Sequence, residues 1–185
     1  MTSMSTFLQI DLQNLFFEAK NKGEKIDLEK ILIYFNSRET EYLIEAIVYM
    51  VRNDDFNSGK FETKLVELGY NLKTKDTLKI TRDNRTFYRQ TNHDVGLTVD
   101  CIAKLDMFDK WILMSGDGDF VDLCKFLKQK KKKVEVWSFR ECYNSALEPY
   151  VDRVHFIDDN FFYRKPNVKV FSPSYFDPTK KHEKH

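Results

Sequence analysis

Short apolar runs alternate with segments of helical period along almost the whole chain, and this alternation restricts the fold more than any other feature. Phe7–Ile10 is a buried-type run ending in Asp11. Helical stretches follow at Leu15–Ala19, up to Gly23, and at Leu28–Phe35, with Asp27 as N-cap. Tyr42–Val51 is β-branched and apolar, the pattern of a central strand. Beyond the loop Asn57-Ser58-Gly59, a helix is predicted over Phe61–Leu68, closed by Gly69. Leu78–Thr81 and Thr86–Gln90 read as a hairpin around Arg82-Asp83-Asn84-Arg85. Asp94–Phe108 is predicted as a helix with Val95, Val99, Ile102 and Leu105 on one side. A strand at Trp111–Met114, a helix at Phe120–Leu127 and a strand at Val134–Phe139 come next, then a short helix at Ser145–Val151 and a strand at Val154–Ile157. Such alternation gives a three-layer α/β/α sandwich around a mainly parallel central sheet. The chain of 185 residues suits one domain, predicted over 1–159, with a surface tail, partly ordered or disordered, over 160–185.

Composition excludes some classes. No apolar run of 18 residues exists, so no membrane-spanning helix is expected, and the N-terminus lacks a secretory pattern. Cys101, Cys124 and Cys142 are odd in number and form no CxxC pair, as expected of reduced thiols in the cytoplasm. A zinc site from Cys142, His155 and the tail histidines has the spacing of no known finger.

The net charge of +1 hides a marked segregation. Residues 71–90 carry Lys73, Lys75, Lys79, Arg82, Arg85 and Arg89 against Asp76 and Asp83, a balance of +4. Residues 91–127 carry seven aspartates against three lysines, a balance of −4. Carboxylates to hold cations beside cations to hold phosphates suit a metal site acting on a polyanion. Two unrelated solvated faces would leave the same record.

The aspartates have particular places. Asp11 ends the first strand; Asp117 follows the strand at Trp111–Met114, with Asp119 two residues on; Asp94 opens a helix. Ligands of open parallel sheets bind beyond the carboxyl ends of the strands. Taken alone, Asp11 fits a turn and Asp94 an N-cap. Ser115-Gly116-Asp117-Gly118-Asp119-Phe120 is more specific, and its glycines are expected to let the backbone bend both carboxylates into the crevice.

These residues resemble those of a known family. Asp11-Leu12-Gln13-Asn14 resembles the DxxN signature of NYN domains, and His93-Asp94-Val95 with Asp100 is similar to their GVDVxLxxD helix. Ile112 to Phe120 resembles the ILxSGDxDF motif, and Val134–Val136 with Ser145, Leu147 and Asp152 resembles the closing strand and SxxLxxxAD segment. The resemblance implies a PIN-like fold and a metal-dependent endoribonuclease hydrolysing single-stranded RNA, or DNA, with Mg²⁺ or Mn²⁺. It puts Asp11, Asp94, Asp117 and Asp119 in the metal and catalytic roles, and Asn14, Asp100 and Ser115 in supporting ones. Asp100 lies about 240° around the helix from Asp94 and is expected in an outer shell. The basic residues Lys73 to Arg89 are expected to position the strand. Two residues depart from the pattern: His93 replaces the usual Gly, and Lys131 the Gly that ends the next helix, where a left-handed residue costs about 1 kcal/mol.

Rival readings are a catalytically silent PIN-like module that binds RNA or a protein, a haloacid-dehalogenase-type phosphatase, and a calcium loop. The phosphatase lacks the second acid, since Gln13 stands in its place, and the calcium loop has Asp122 where Gly is needed. A homodimer is compatible with the sequence.

Overall fold

The computed structural model describes residues 3–52, 58–82, 85–89 and 91–164. The chain begins with β1 (Met4–Asp11), α1 (Leu12–Asn21), α2 (Leu28–Asn36) and β2 (Glu41–Arg52). It continues through α3 (Gly59–Leu68), β3 (Asn71–Asp76), and the strands β4 (Leu78–Arg82) and β5 (Arg85–Arg89). The last part comprises α4 (Asp94–Ala103), β6 (Lys110–Met114), α5 (Val121–Gln129), β7 (Lys133–Ser138) and β8 (Arg153–Phe156). Six strands form one sheet in the order β3-β2-β1-β6-β7-β8, and each neighbouring pair is parallel. β4 and β5 pair antiparallel as a separate hairpin, as the sequence predicted.

Alternation along the strands feeds two cores. Leu8 and Ile10 of β1 pack with Leu15, Ile31, Phe35 and Leu65 from α1, α2 and α3. Phe7, in the opposite phase of the same strand, packs with Leu97, Cys101, Leu123 and Leu127 from α4 and α5. Helices therefore cover both faces, and the expected three-layer α/β architecture is the one found. From β1 the chain builds outward to β2 and β3, then crosses back to β6, β7 and β8 on the other side. The crevice between the ends of β1 and β6 is thus the topological switch point, where an open parallel sheet accepts ligands.

Several local expectations hold for the stated reasons. Asp27 caps α2 by accepting from the Lys30 amide at 3.1 Å, and Gly69 closes α3 at φ 103°. Lys131 does take the left-handed conformation, at φ 60°. Others need correction. β3 was not foreseen, because its sequence NLKTKD has only half-buried Leu72 to mark an edge strand held by backbone pairing. α4 ends at Ala103, and its buried residues are Leu97 and Cys101, while Val95, Val99 and Ile102 face solvent. Polar ties at Leu97 and Asp100, described below, set that helix's rotation against its apolar stripe. Ser145–Tyr150 is a 3-10 segment with Pro149 inside it, since proline cannot donate to an α-helical ladder. Phe161 and Phe162, expected at the start of the tail, are buried in the α1–α3 core, and Ile26 bridges to Phe162. Residues 165–185, the rest of that predicted tail, lie outside the described residues.

Candidate metal centre

Asp11 is both the last residue of β1 and the N-cap of α1: its Oδ1 accepts from the Asn14 amide at 3.3 Å. Because Ile10 pairs with Met114, the next residue on each strand comes together across the switch point. Ser115 Oγ donates to Asp11 Oδ2 at 3.2 Å and accepts from the Asp117 amide at 3.2 Å. Asn14 turns back over the same loop, its Oδ1 accepting from the Gly116 amide at 3.1 Å. Asp117 in turn caps the following 3-10 turn by accepting from the Asp119 amide at 3.0 Å. A run of local capping bonds therefore ties the ends of two parallel strands into one rigid loop.

The glycines of that loop serve close approach rather than a left-handed bend. Among the described residues positive φ at glycine occurs only at Gly23 and Gly69. A Cβ on Gly116 would overlap Ser138 Oγ and the Cys142 carbonyl, and one on Gly118 would overlap the Asn144 amide. The segment 138–144 thus presses against the loop, reinforced by the Asn144 amide donating to the Gly116 carbonyl at 2.9 Å. Ser138 and Asn144 were not singled out in the sequence, and Cys142 was weighed only as a thiol, because nothing in a sequence marks a residue whose role is to fill space beside a glycine.

Carboxylate oxygens of Asp94, Asp117 and Asp119 lie within 4.8 Å of one another. Burial and the charges of Asp11, Asp117 and Asp119 raise the Asp94 carboxyl to about 6, against only partial relief from Lys75. Asp11 is raised as well, chiefly by burial, with Asp117 adding to it. Asp11 is thus the fourth acid electrostatically, although its oxygens are not part of the close trio. Three hard oxygen donors converging with no salt-bridge partner among the described residues fit a divalent cation such as Mg²⁺ or Mn²⁺.

The remaining nominated residues separate. Lys75 Nζ donates to the Asn92 carbonyl at 2.8 Å, and the Asn92 amide donates to Asp94, so Lys75 stands beside the acids. Lys73, two residues earlier on the same face of β3, lies 3.6 Å from Asp100. Asp100 bonds to none of the other acids; it accepts from Tyr49 Oη at 2.8 Å. Tyr49 in turn receives a bond from Gln9 Nε2, which also donates to the Leu97 carbonyl at 3.1 Å. Asp100 therefore anchors α4 to the sheet, as its angular offset from Asp94 requires. Burial and the Asp100 carboxylate push the Tyr49 phenol well above its usual range. His93, at the N-cap of α4, is buried, and its Nε2 donates to the Met50 carbonyl at 2.9 Å. Lys79, Arg82, Arg85 and Arg89 have backbone places in β4 and β5, but their side chains lie outside the described residues.

Comparison with known proteins places the chain in a family and supports its fold. The chain is 30% identical over 151 residues to the low amplitude and bright protein LabA of Synechococcus elongatus, covering 77% of this chain and 80% of LabA. The crystal structure of a protein of unknown function from Vibrio parahaemolyticus superposes with a TM-score of 0.74 at 24% identity, covering 87% of this chain and 97% of that one. The NYN domain model matches residues 5–158, so this chain belongs to the NYN domain family.

Proposed function

We propose that this protein is a metal-dependent ribonuclease that hydrolyses phosphodiester bonds of single-stranded RNA. The single observation that carries the reading is the convergence of Asp94, Asp117 and Asp119 at the switch point, with Asp94 raised to about 6 by burial and then by its fellow acids. A site that only stabilised the fold would pair such acids with lysine or arginine. Membership of a nuclease-related family supports the same reading.

In this reading Asp94, Asp117 and Asp119 hold Mg²⁺ or Mn²⁺, and Asp11 completes the acidic ring from the end of β1. A divalent cation bound there supplies Lewis acidity toward a water and the leaving oxygen. The chain does the positioning. Ser115 and Asn14 fix the loop, so the carboxylates meet the substrate without rearrangement. Lys73 and Lys75 line the α4 side of the acids and hold the phosphates, which carries no sequence information. Lys79, Arg82, Arg85 and Arg89 extend that role along the hairpin. DNA is the second substrate to try. We place the protein in the cytoplasm, in keeping with three free thiols, and no helix among the described residues is long and apolar enough to cross a membrane.

The test is incubation of the purified chain with 5′-labelled single-stranded RNA and DNA in Mn²⁺, Mg²⁺ or EDTA, beside the Asp117→Asn variant. Cutting of RNA in Mn²⁺ or Mg²⁺ that is absent in EDTA and in the variant is the expected result. RNA that is bound but left intact under every metal would instead assign a silent binding module.

A further inference from the structure

Helix α4 turns its apolar stripe away from the protein. Val95, Val99 and Ile102 are 72, 58 and 45% exposed, and Met107, just beyond the helix, is 61% exposed. At i, i+4 and i+7 the three helical positions are contiguous, and they lie opposite the two buried residues, Leu97 and Cys101. Three hydrogen bonds fix that rotation: Gln9 to the Leu97 carbonyl, Tyr49 to Asp100, and His93 to the Met50 carbonyl. Rolling the helix to bury the stripe would break all three. Polar contacts therefore hold an apolar surface in solvent, and a patch of this kind marks a contact site.

The charges beside the stripe say what fits it. α5 lies next to α4 on this face, its Leu123, Cys124 and Leu127 packed with Leu97 and Cys101. Its outward residues Asp122 and Lys125 are exposed, and neither has an ion-pair partner among the described residues, whereas Lys128 pairs with Asp152. The two helices are in step. The Asp94 and Asp119 carboxylates meet at the metal centre, and Val99 and Cys124 each follow five residues later. Asp122 and Lys125 therefore flank the level of Val99, one on either side. A second copy laid antiparallel across this layer meets it apolar to apolar and charge to charge. The stripe itself carries no cation and no aromatic ring, which tells against a nucleic-acid strand there.

We propose that the α4–α5 face is a homodimer interface, with two copies paired antiparallel about a twofold axis at the level of Val99. Val95 of one copy packs beside Ile102 of the other, and each Asp122 faces the other copy's Lys125. With its flanking turns α4 is about 25 Å long, and the two helices together are about 20 Å wide, so the contact covers on the order of 500 Å² per copy. That is the low end for a specific pair, and the expected Kd is micromolar. The proposal needs the two helices and their charges, not the ribonuclease chemistry.

Sedimentation velocity of the full chain in EDTA, from about 5 to about 500 µM, is the test, and a monomer–dimer equilibrium is the expected result. Val99→Asp should weaken pairing at least tenfold, with far-UV circular dichroism showing that the variant is folded. Lys125→Asp should weaken it about tenfold, and adding Asp122→Lys to that variant should restore most of the loss, because each reversed charge then meets a reversed partner. Val99→Cys, beside the axis, should crosslink two copies under mild oxidation. Val66→Cys, at a position 59% exposed on α3 at the other face, should not. A chain that stays monomeric at the highest concentration overturns the proposal. So does a dimer indifferent to Val99→Asp, a charge swap that restores nothing, or crosslinking of Val66→Cys as readily as Val99→Cys. RNA cleavage enters none of these readings, so failure here leaves the ribonuclease reading untouched.

Discussion

The two ends of the central sheet gather charge in opposite ways. At the N-terminal ends of β2 and β6, buried Lys110 contacts Glu41 at 2.5 Å and Glu135 at 2.7 Å. Arg38 contacts the same two glutamates at 3.2 Å each. Two cations and two anions satisfy one another there, and despite burial Glu135 stays below the usual carboxylate range, because Lys110 and Arg38 outweigh desolvation. At the carboxyl ends of β1 and β6, Asp11, Asp94, Asp117 and Asp119 face mostly one another, and Asp94 rises to about 6. The same sheet thus shows what evolution does with buried charge when only the fold is at stake. The acidic end departs from that solution, and the departure is the argument for a ligand.

Breaking the paired end should have the largest effect on folding. Lys110→Ala leaves Glu135 and Glu41 sharing Arg38 alone, and should cost about 3–5 kcal/mol in chemical denaturation. Replacing Lys110 by Met together with Glu135 by Leu removes one charge of each sign, leaves the Arg38–Glu41 pair, and should recover most of that loss. If the double variant is as unstable as the single one, the network is not a balanced set, and the contrast between the two ends weakens.

Breaking the acidic end should do the reverse. Asp94→Asn relieves repulsion, so the metal-free protein should become slightly more stable while RNA cleavage falls by roughly a hundredfold or more. Mn²⁺, which should raise the melting temperature of the native chain, should raise that of Asp94→Asn far less. A variant that loses stability without metal would show that Asp94 is held by favourable contacts, and the cluster would then resemble the paired end after all.

How much of this was legible in the sequence differed between the two ends. Asp117 and Asp119 announced themselves, because two glycines and two acids directly after an apolar strand have no easy role in a plain surface turn. Asp11 was visible through its place at a strand end. The paired end was not visible at all: Arg38, Glu41, Lys110 and Glu135 are far apart in the chain, and only the strand order joins them. The same holds for Asn144, whose value lies in filling space beside Gly118. The rotation of α4 was misread for a related reason. Val95, Val99 and Ile102 give a clean apolar stripe, yet Gln9, Tyr49 and Asp100 turn the helix by polar bonds whose partners come from other strands.

The pH dependence of metal binding sharpens the contrast quantitatively. Asp94 is raised above its usual 3.8 to about 6, so the fold favours its protonated form. Its contribution to the stability of the metal-free protein is therefore fully present below the unfolded value and lost as pH rises through 6. A cation needs the ionised form, so apparent affinity should be flat above about pH 7 and fall up to tenfold per unit below 6. Mn²⁺ titrations at pH 7.5, 6.0 and 5.0, followed by thermal shift, test this. Glu135 predicts no such transition in that window, because its depressed value makes its contribution vanish only on stronger acidification.

The smallest expected effect concerns strain rather than charge. Lys131 is the one non-glycine among the described residues with positive φ, at 60°, and it stands where α5 turns into β7, on the paired side of the sheet. Backbone strain near a reacting centre can be part of a mechanism, but this residue lies at the opposite end from the acids, so its strain should be removable without functional cost. Its amide donates to the Lys128 carbonyl at 3.0 Å, a bond that glycine keeps. Lys131→Gly relieves about 1 kcal/mol of left-handed strain and gives back part of it through the greater freedom of unfolded glycine. A net gain of about 0.5 kcal/mol, with unchanged Mn²⁺ stabilisation, is expected from denaturant midpoints. A change in metal response instead would mean that the two ends of the sheet are coupled, and the separation between folding charge and ligand charge would have to be redrawn.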